Sequence, residues 1–241
     1  MFQRAYYPES GVLATPKTRR FALQGLNSPA VSPSIFVFGR ISSMLSDKLL
    51  AKEFGLQVWA VDPWIKPTEN WERIRKAGLE QQVFPLNGDA LRLPFPQEFF
   101  DAVIAINSMW FFASEDLYLG RYLIPLVKPG GQFGVVLPGF YHEFGGDLPG
   151  DLPNHLKPYW DSCALCAWHS ADWWRRHWAR TSQVEVLLAD NFPENEGYQT
   201  YLRWEQIIEY EEKLAADNAG RAVTFVRLVA RRKQPQLDKE L

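Results

Sequence analysis

The 241-residue chain predicts an α/β fold built on a doubly wound, mainly parallel sheet. Short apolar runs alternate with amphipathic segments along most of its length, the pattern that βαβ units produce. One run, "DAVIAI" (101–106), is apolar almost throughout, as a strand covered on both faces must be. Polar residues able to do chemistry recur just past these runs, where such sheets bind their ligands.

The elements follow in order. "SIFVF" (34–38) reads as a first strand, and "SSMLSDKLLAKEF" (42–54) as a helix with Met44, Leu45, Leu49 and Leu50 on one face. "LQVWAV" (56–61) is a second strand ending at Asp62. "TENWERIRKAG" (68–78) is a helix that Thr68 can cap and Gly78 can end. "QVFPL" (82–86) and "DAVIAI" are the third and fourth strands. "SEDLYLGRYLIPLV" (114–127) is a helix stopped by "KPGG", and "QFGVVLP" (132–138) a fifth strand. The stretch near 139–169 is rich in Pro, Gly and aromatics and suits a lid or insertion. "SADWWRRHWART" (170–181) is a helix with Ser170 as cap, and "QVEVLLAD" (183–190) a sixth strand. A long amphipathic helix over 198–217 and a strand over 221–233 follow. Residues 1–33 have no clear pattern, so the organised domain is expected over 34–241.

With 46% hydrophobic residues the chain can build a sizeable core, and its formal net charge of −2 speaks against a general nucleic-acid binder. No run of about 18 apolar residues suggests a membrane span. "MFQRAYYPES" lacks the order of a secretion signal, and two cysteines build no disulfide framework. A cytoplasmic protein is the expectation.

Three strand ends carry candidate binding groups. Asp62, in "VWAVDPW", can accept two hydrogen bonds from a ribose diol. In "NGDA", Gly88 lets the backbone turn close to a ring, and Asp89 can accept from an adenine amine. In "NSMWFF", Asn107 and Ser108 would line the floor beside the reacting group. A lone Asp at a strand end is more often a cap or turn residue. Three successive strand ends with suitable groups favour a nucleoside.

The segments "LAKEFGLQVWAVDPW", "NGDALRLPFPQEFFDAVIAINSMWFF" and "YLIPLVKPGGQFGVVLP" resemble the class I S-adenosylmethionine-dependent methyltransferases, specifically those with a methyltransferase type 11 domain. The resemblance is dense from Leu49 to Pro138 and looser from there to the last strand. It implies a Rossmann-like sheet of seven strands, the last antiparallel, with S-adenosylmethionine as cofactor and a small-molecule methyl acceptor. By position, Asp62 would hold the ribose hydroxyls, Trp64 would lie near the adenine, and Asp89 and Ala90 would recognise its edge. Asn107 would sit near the methionine part.

The first turn departs from that family. Members carry an acidic residue in the first strand and then Gly-x-Gly-x-Gly. Aligning Gly39 on the first glycine puts Val37 at the acidic position, Ile41 at the second glycine and Ser43 at the third. A β-branched residue is poorly suited to the positive φ that such glycines supply. The motif is degenerate, which leaves a non-catalytic binding module of the same fold as the rival reading. Residues 11–47 are rich in Ser, Pro and Arg, and either divergence or a shifted reading frame accounts for them. Translating the two other frames of the gene decides between these. A nicotinamide dehydrogenase also needs the glycine loop and does not predict "GDA".

Weaker signals remain. Cys163 and Cys166 with His169 nearby make an incomplete metal set. His142, His155 and His177 are possible bases, His142 standing just past the fifth strand. Tyr6 and Tyr7 could close over a cofactor. Trp160, Trp168, Trp173, Trp174 and Trp178 could wall an acceptor site or fill a core.

Overall fold

A computed structural model describes residues 34–38, 51–52, 54–63, 65–106, 108–145, 150–154, 156–160, 165–192 and 222–235. Seven strands form one sheet: β1 (Ser34–Phe38), β2 (Gln57–Val61), β3 (Val83–Leu86), β4 (Phe100–Ile106), β5 (Val127–Phe140), β6 (Val184–Asn191) and β7 (Val223–Arg232). Their order is β3-β2-β1-β4-β5-β7-β6. β1 to β5 are mutually parallel, while β7 lies antiparallel between β5 and β6. The predicted seven strands and reversed last strand are both present.

Among the described residues two complete α-helices accompany the sheet, α1 (Pro67–Lys76) and α2 (Ala171–Ala179). Lys66, not Thr68, is the N-cap of α1, and no side chain caps it. Pro67 explains this start, because its fixed φ suits the first helical position and its missing N–H costs nothing there. Gly78 takes φ +66° and its N–H closes on the Arg75 carbonyl, ending the helix as expected. α2 begins as its sequence predicts: Ser170 Oγ accepts from the Trp173 N–H at 3.2 Å. Ala51, Lys52 and Phe54 are helical, and the rest of the helix expected over 42–54 lies outside the described residues, as does that over 198–217.

The segment read as one helix over 114–127 is different. A turn of π-helix (Leu119–Leu123) passes into a 3₁₀ turn (Ile124–Leu126), and Val127 is already in β5. Pro125 supplies no N–H to the preceding turn and cannot continue an α-helix. β5 is also longer than its apolar core suggests. Phe100 faces Val127, yet Ala102 faces Gln132, so residues 128–131 make an excursion within the pairing. Gly130 takes φ +81° in that excursion, which is where "KPGG" turns.

The core has two faces. Val37, Val58, Ala60, Ala102 and Ile104 pack under Ile74 of α1 and Leu79. On the other face Phe36, Val103, Phe133 and Leu228 pack with Trp174 and Trp178 of α2. Both tryptophans are essentially fully buried, and burying each aromatic side chain contributes on the order of 2 kcal/mol. A separate apolar group past β5 joins Phe140, Leu152, Leu156, Trp160, Leu165, Trp168 and Phe225. It seats part of the segment between β5 and α2.

Candidate functional site

Register brings the carboxyl ends of four strands to one edge. Phe38 lies opposite Val61 and Ala105, Val61 opposite Leu86, and Ile106 opposite Val136. Strand order reverses between β1 and β4, the switch point where open α/β sheets bind ligands. Gly39, Trp64 and Asn107 lie outside the described residues. The others can be placed.

Asp62 leaves β2 at this edge and is fully buried. Its N–H donates to the Leu86 carbonyl at 3.0 Å. Its Oδ1 accepts from the Ile65 N–H, three residues on, at 3.0 Å. Its own carbonyl accepts from Asn87 Nδ2 at 2.9 Å. Asp62 is therefore tied to the loop past β3 by backbone and side chain together. Sequence reading passed over Asn87, although it opens the quoted "NGDA".

Gly88 runs close beside β2: a Cβ there would stand 3.4 Å from Val61 Cγ1, an ordinary contact. Asp89 is exposed, and its Oδ1 accepts from the Leu91 N–H at 2.9 Å. The Asp89 carbonyl accepts from the Arg92 N–H at 2.9 Å, which completes the turn. The Ala90 carbonyl accepts from the Tyr118 hydroxyl at 3.5 Å, at the outer limit of a hydrogen bond. Burial pushes the Tyr118 phenol well above its ordinary range, and the Asp89 charge adds to this, so it stays a donor. A buried carboxylate and an exposed one thus flank a tight turn at one edge. Carboxylate and carbonyl oxygens are acceptors, the kind of group to which a diol or an amine donates. Because Asp62 is covered, ribose binding requires that cover to open.

β5 delivers a second group of polar residues at the same edge. Glu143, in the loop past β5, accepts from His169 Nδ1 at 2.7 Å and from the Ser170 N–H at 2.8 Å. Burial pushes the Glu143 carboxyl up, but the His169 and Ser170 hydrogen bonds outweigh it and hold it below the ordinary carboxylate range. His169 also stacks on Trp173, with ring centroids 3.6 Å apart and planes 6° from parallel. Gly139 makes this approach possible, since a Cβ there would run into the His169 carbonyl. In the sequence His169 was singled out only beside Cys163 and Cys166, and Glu143 only as the neighbour of His142.

The other candidates separate. His142 is exposed and His155 lies outside the described residues. His177 is buried in the core, with Nε2 2.9 Å from the Ala113 carbonyl, so it is not a base facing this edge. Cys166 is an exposed free thiol, Cys163 lies outside the described residues, and so do Tyr6 and Tyr7. Among the described residues no group of three or more His, Cys, Asp and Glu side chains could hold a metal ion. The tryptophans split between cores: Trp174 and Trp178 under β5, Trp160 and Trp168 beyond it. Among the described residues no helix is long and apolar enough to cross a membrane.

Seven strands in this order, with only β7 reversed, agree with the sheet that the class I methyltransferase resemblance implies. More narrowly, residues 41–135 match the family model described as "Methyltransferase domain". The match covers the strand ends at Asp62 and Asp89 and begins two residues past Gly39. No curated protein matches the chain significantly. Solved structures share its fold at low identity. A candidate sarcosine dimethylglycine methyltransferase from Galdieria sulphuraria is 14% identical, with TM-score 0.69 over 90% of this chain and 86% of that one. The [4+2]-cyclase SpnF is 18% identical, with TM-score 0.64 over 96% and 87%. Phosphoethanolamine N-methyltransferase 2 from Haemonchus contortus, in complex with S-adenosyl-L-methionine, is 15% identical, with TM-score 0.69 over 97% and 59%.

Proposed function

We propose that this protein transfers a methyl group from S-adenosylmethionine to a small-molecule acceptor at the carboxyl edge of its sheet. One observation carries the reading: Asp62, fixed at the end of β2 by Ile65 and Asn87, stands beside the exposed Asp89 turn. Asp62 would hold the ribose hydroxyls, and Asp89 with Ala90 the adenine edge. Trp64, Gly39, Gly88 and Asn107 are assigned to the same cofactor by their positions after β1 to β4. When bound, that cofactor supplies an electrophilic methyl group on a sulfonium. The chain's part is to align the acceptor with it, and alignment alone accounts for much of such a rate.

A second reading is favoured by the first turn. Gly39, Arg40, Ile41, Ser42 and Ser43 stand where a glycine loop is usual, and the family match starts only at residue 41. In this reading the chain keeps the fold as a binding module.

Isothermal titration with S-adenosylmethionine and S-adenosylhomocysteine separates the two. Micromolar binding that Asp62→Ala weakens at least tenfold supports the transferase; silence from the wild-type protein supports the module.

A further inference from the structure

We propose that Tyr118 is a positioning residue for adenine: through the peptide unit joining Ala90 and Leu91, its buried hydroxyl orients the Asp89 carboxylate. The proposal rests on the transferase reading and adds a residue, 28 positions from Ala90, that sets the preference for adenine over a base without its amine.

One peptide plane carries the linkage. The Ala90 carbonyl accepts from the Tyr118 hydroxyl at 3.5 Å. The N–H of the same peptide unit, that of Leu91, donates to Asp89 Oδ1 at 2.9 Å. A peptide unit is planar, so holding its carbonyl also fixes the direction of its N–H. That N–H in turn fixes one oxygen of the Asp89 carboxylate, and a carboxylate held at one oxygen still offers its other to a donor. Asp89 is exposed, as a residue meeting a ligand must be.

Tyr118 is the rigid partner in this arrangement. It is 1% exposed, and Leu119 and Leu123, in the π turn that follows it, are fully buried with it. Its ring meets Phe112 edge-on at 4.9 Å and stacks on Tyr122 at 6.1 Å. Its N–H donates to the Glu115 carbonyl at 3.1 Å. The turn has less to hold it, because among the described residues 87–99 form neither helix nor strand. Two side chains tie it down on either side of Asp89: Asn87 to the Asp62 carbonyl, and Tyr118 to the Ala90 carbonyl. A buried hydroxyl is costly without an acceptor, which keeps the second tie closed. Burial first, and the Asp89 charge second, push this phenol well above its ordinary range, so it donates at any working pH. That the Asp89 charge is felt there also places the carboxylate near the hydroxyl.

The test compares S-adenosylhomocysteine with S-inosylhomocysteine, in which a ring carbonyl replaces the amine, by calorimetric titration of full-length wild type and Tyr118→Phe. Losing one oxygen atom leaves the ring in its packing. Both titrations use one preparation, so any inactive fraction cancels in the ratio of affinities. We expect the wild type to prefer S-adenosylhomocysteine about tenfold or more. In Tyr118→Phe the affinity for S-adenosylhomocysteine is expected to fall about fivefold, with that for S-inosylhomocysteine within about twofold of wild type. Loss of both affinities equally, or of neither, overturns the role of Tyr118 and leaves the transferase reading standing. A wild type that binds both compounds alike also overturns it, since the turn then does not read the amine. A Tyr118→Phe protein that does not fold, judged by thermal melting, makes the hydroxyl a requirement of the core and overturns it too. A wild type that binds no S-adenosylhomocysteine overturns the transferase reading, and the role of Tyr118 falls with it.

Discussion

Asn87 donates its side-chain amide to the backbone carbonyl of Asp62 at 2.9 Å, so the loop past β3 holds the residue past β2 in place. The two residues stand just past neighbouring parallel strands, and this hydrogen bond joins their loops. A neutral hydrogen bond contributes about 1 kcal/mol. Asn87→Ala is expected to weaken S-adenosylhomocysteine binding about fivefold in calorimetry. Asp62→Ala, which removes the acid proposed to hold the ribose, is expected to do at least tenfold worse than wild type. Asn87→Ala weaker in binding than Asp62→Ala would reverse their assigned roles.

Gly139 is a close-packing position. A Cβ there would lie 2.7 Å from Val226 Cγ2 and closer still to the His169 carbonyl. Backbone cannot retreat as a flexible side chain can, so Gly139→Ala is expected to destabilise the fold by about 1–3 kcal/mol in urea unfolding. It should also displace the 168–170 segment, which near-ultraviolet circular dichroism of the Trp173 stack would register.

Ser170 caps α2 through the Trp173 N–H, while Glu143 binds the Ser170 N–H from outside the helix. Ser170→Ala is expected to cost about 1 kcal/mol. Its effect should be smaller than that of Glu143→Ala, which removes two partners from the same helix start. Equal unfolding midpoints for Ser170→Ala and wild type would contradict the cap.

Burial holds the His177 imidazole below its ordinary value, with the Ala113 carbonyl and Asp116 opposing and Arg180 and His169 assisting. The unfolded chain therefore binds a proton at a pH where the folded one does not. Stability is fully present above the unfolded pKa of about 6.5 and falls as pH drops below it, by at most about 1.4 kcal/mol per unit. Glu143 acts in a separate window. Its lowered carboxyl loses its contribution only as pH falls through the acid range. Melting temperatures between neutrality and pH of about 5 should fall for the wild type and flatten for His177→Gln.

Much of this architecture could be read from residue order alone. The near-continuous apolar run of β4 and the alternation around it give the parallel sheet, and Ser170 and Gly78 mark helix ends by plain capping chemistry. The failures have physical causes. Lys66 begins α1 because Pro67 starts a helix without any capping side chain, a signal that Thr68 obscured. Pro125 breaks the helix expected over 114–127 into π and 3₁₀ turns, and residue counting cannot show which competing hydrogen-bond pattern wins. The positions of Asp62 and Asp89 past β2 and β3 could be read from the sequence because the apolar runs before them mark the strand ends. The Glu143–His169 pair could not, since 26 residues separate its members and only the approach allowed by Gly139 brings them together.

The insertion of β7 between β5 and β6 has a consequence for biosynthesis. Among the described residues β6 pairs with β7 alone, so until residues 223–232 leave the ribosome that edge has no described neighbour to join. The nascent molecule must then keep two unpaired strand margins apart from other chains. Ending the chain before residue 223 would leave that gap permanently open, and the product is expected to accumulate in inclusion bodies rather than as a smaller, working domain.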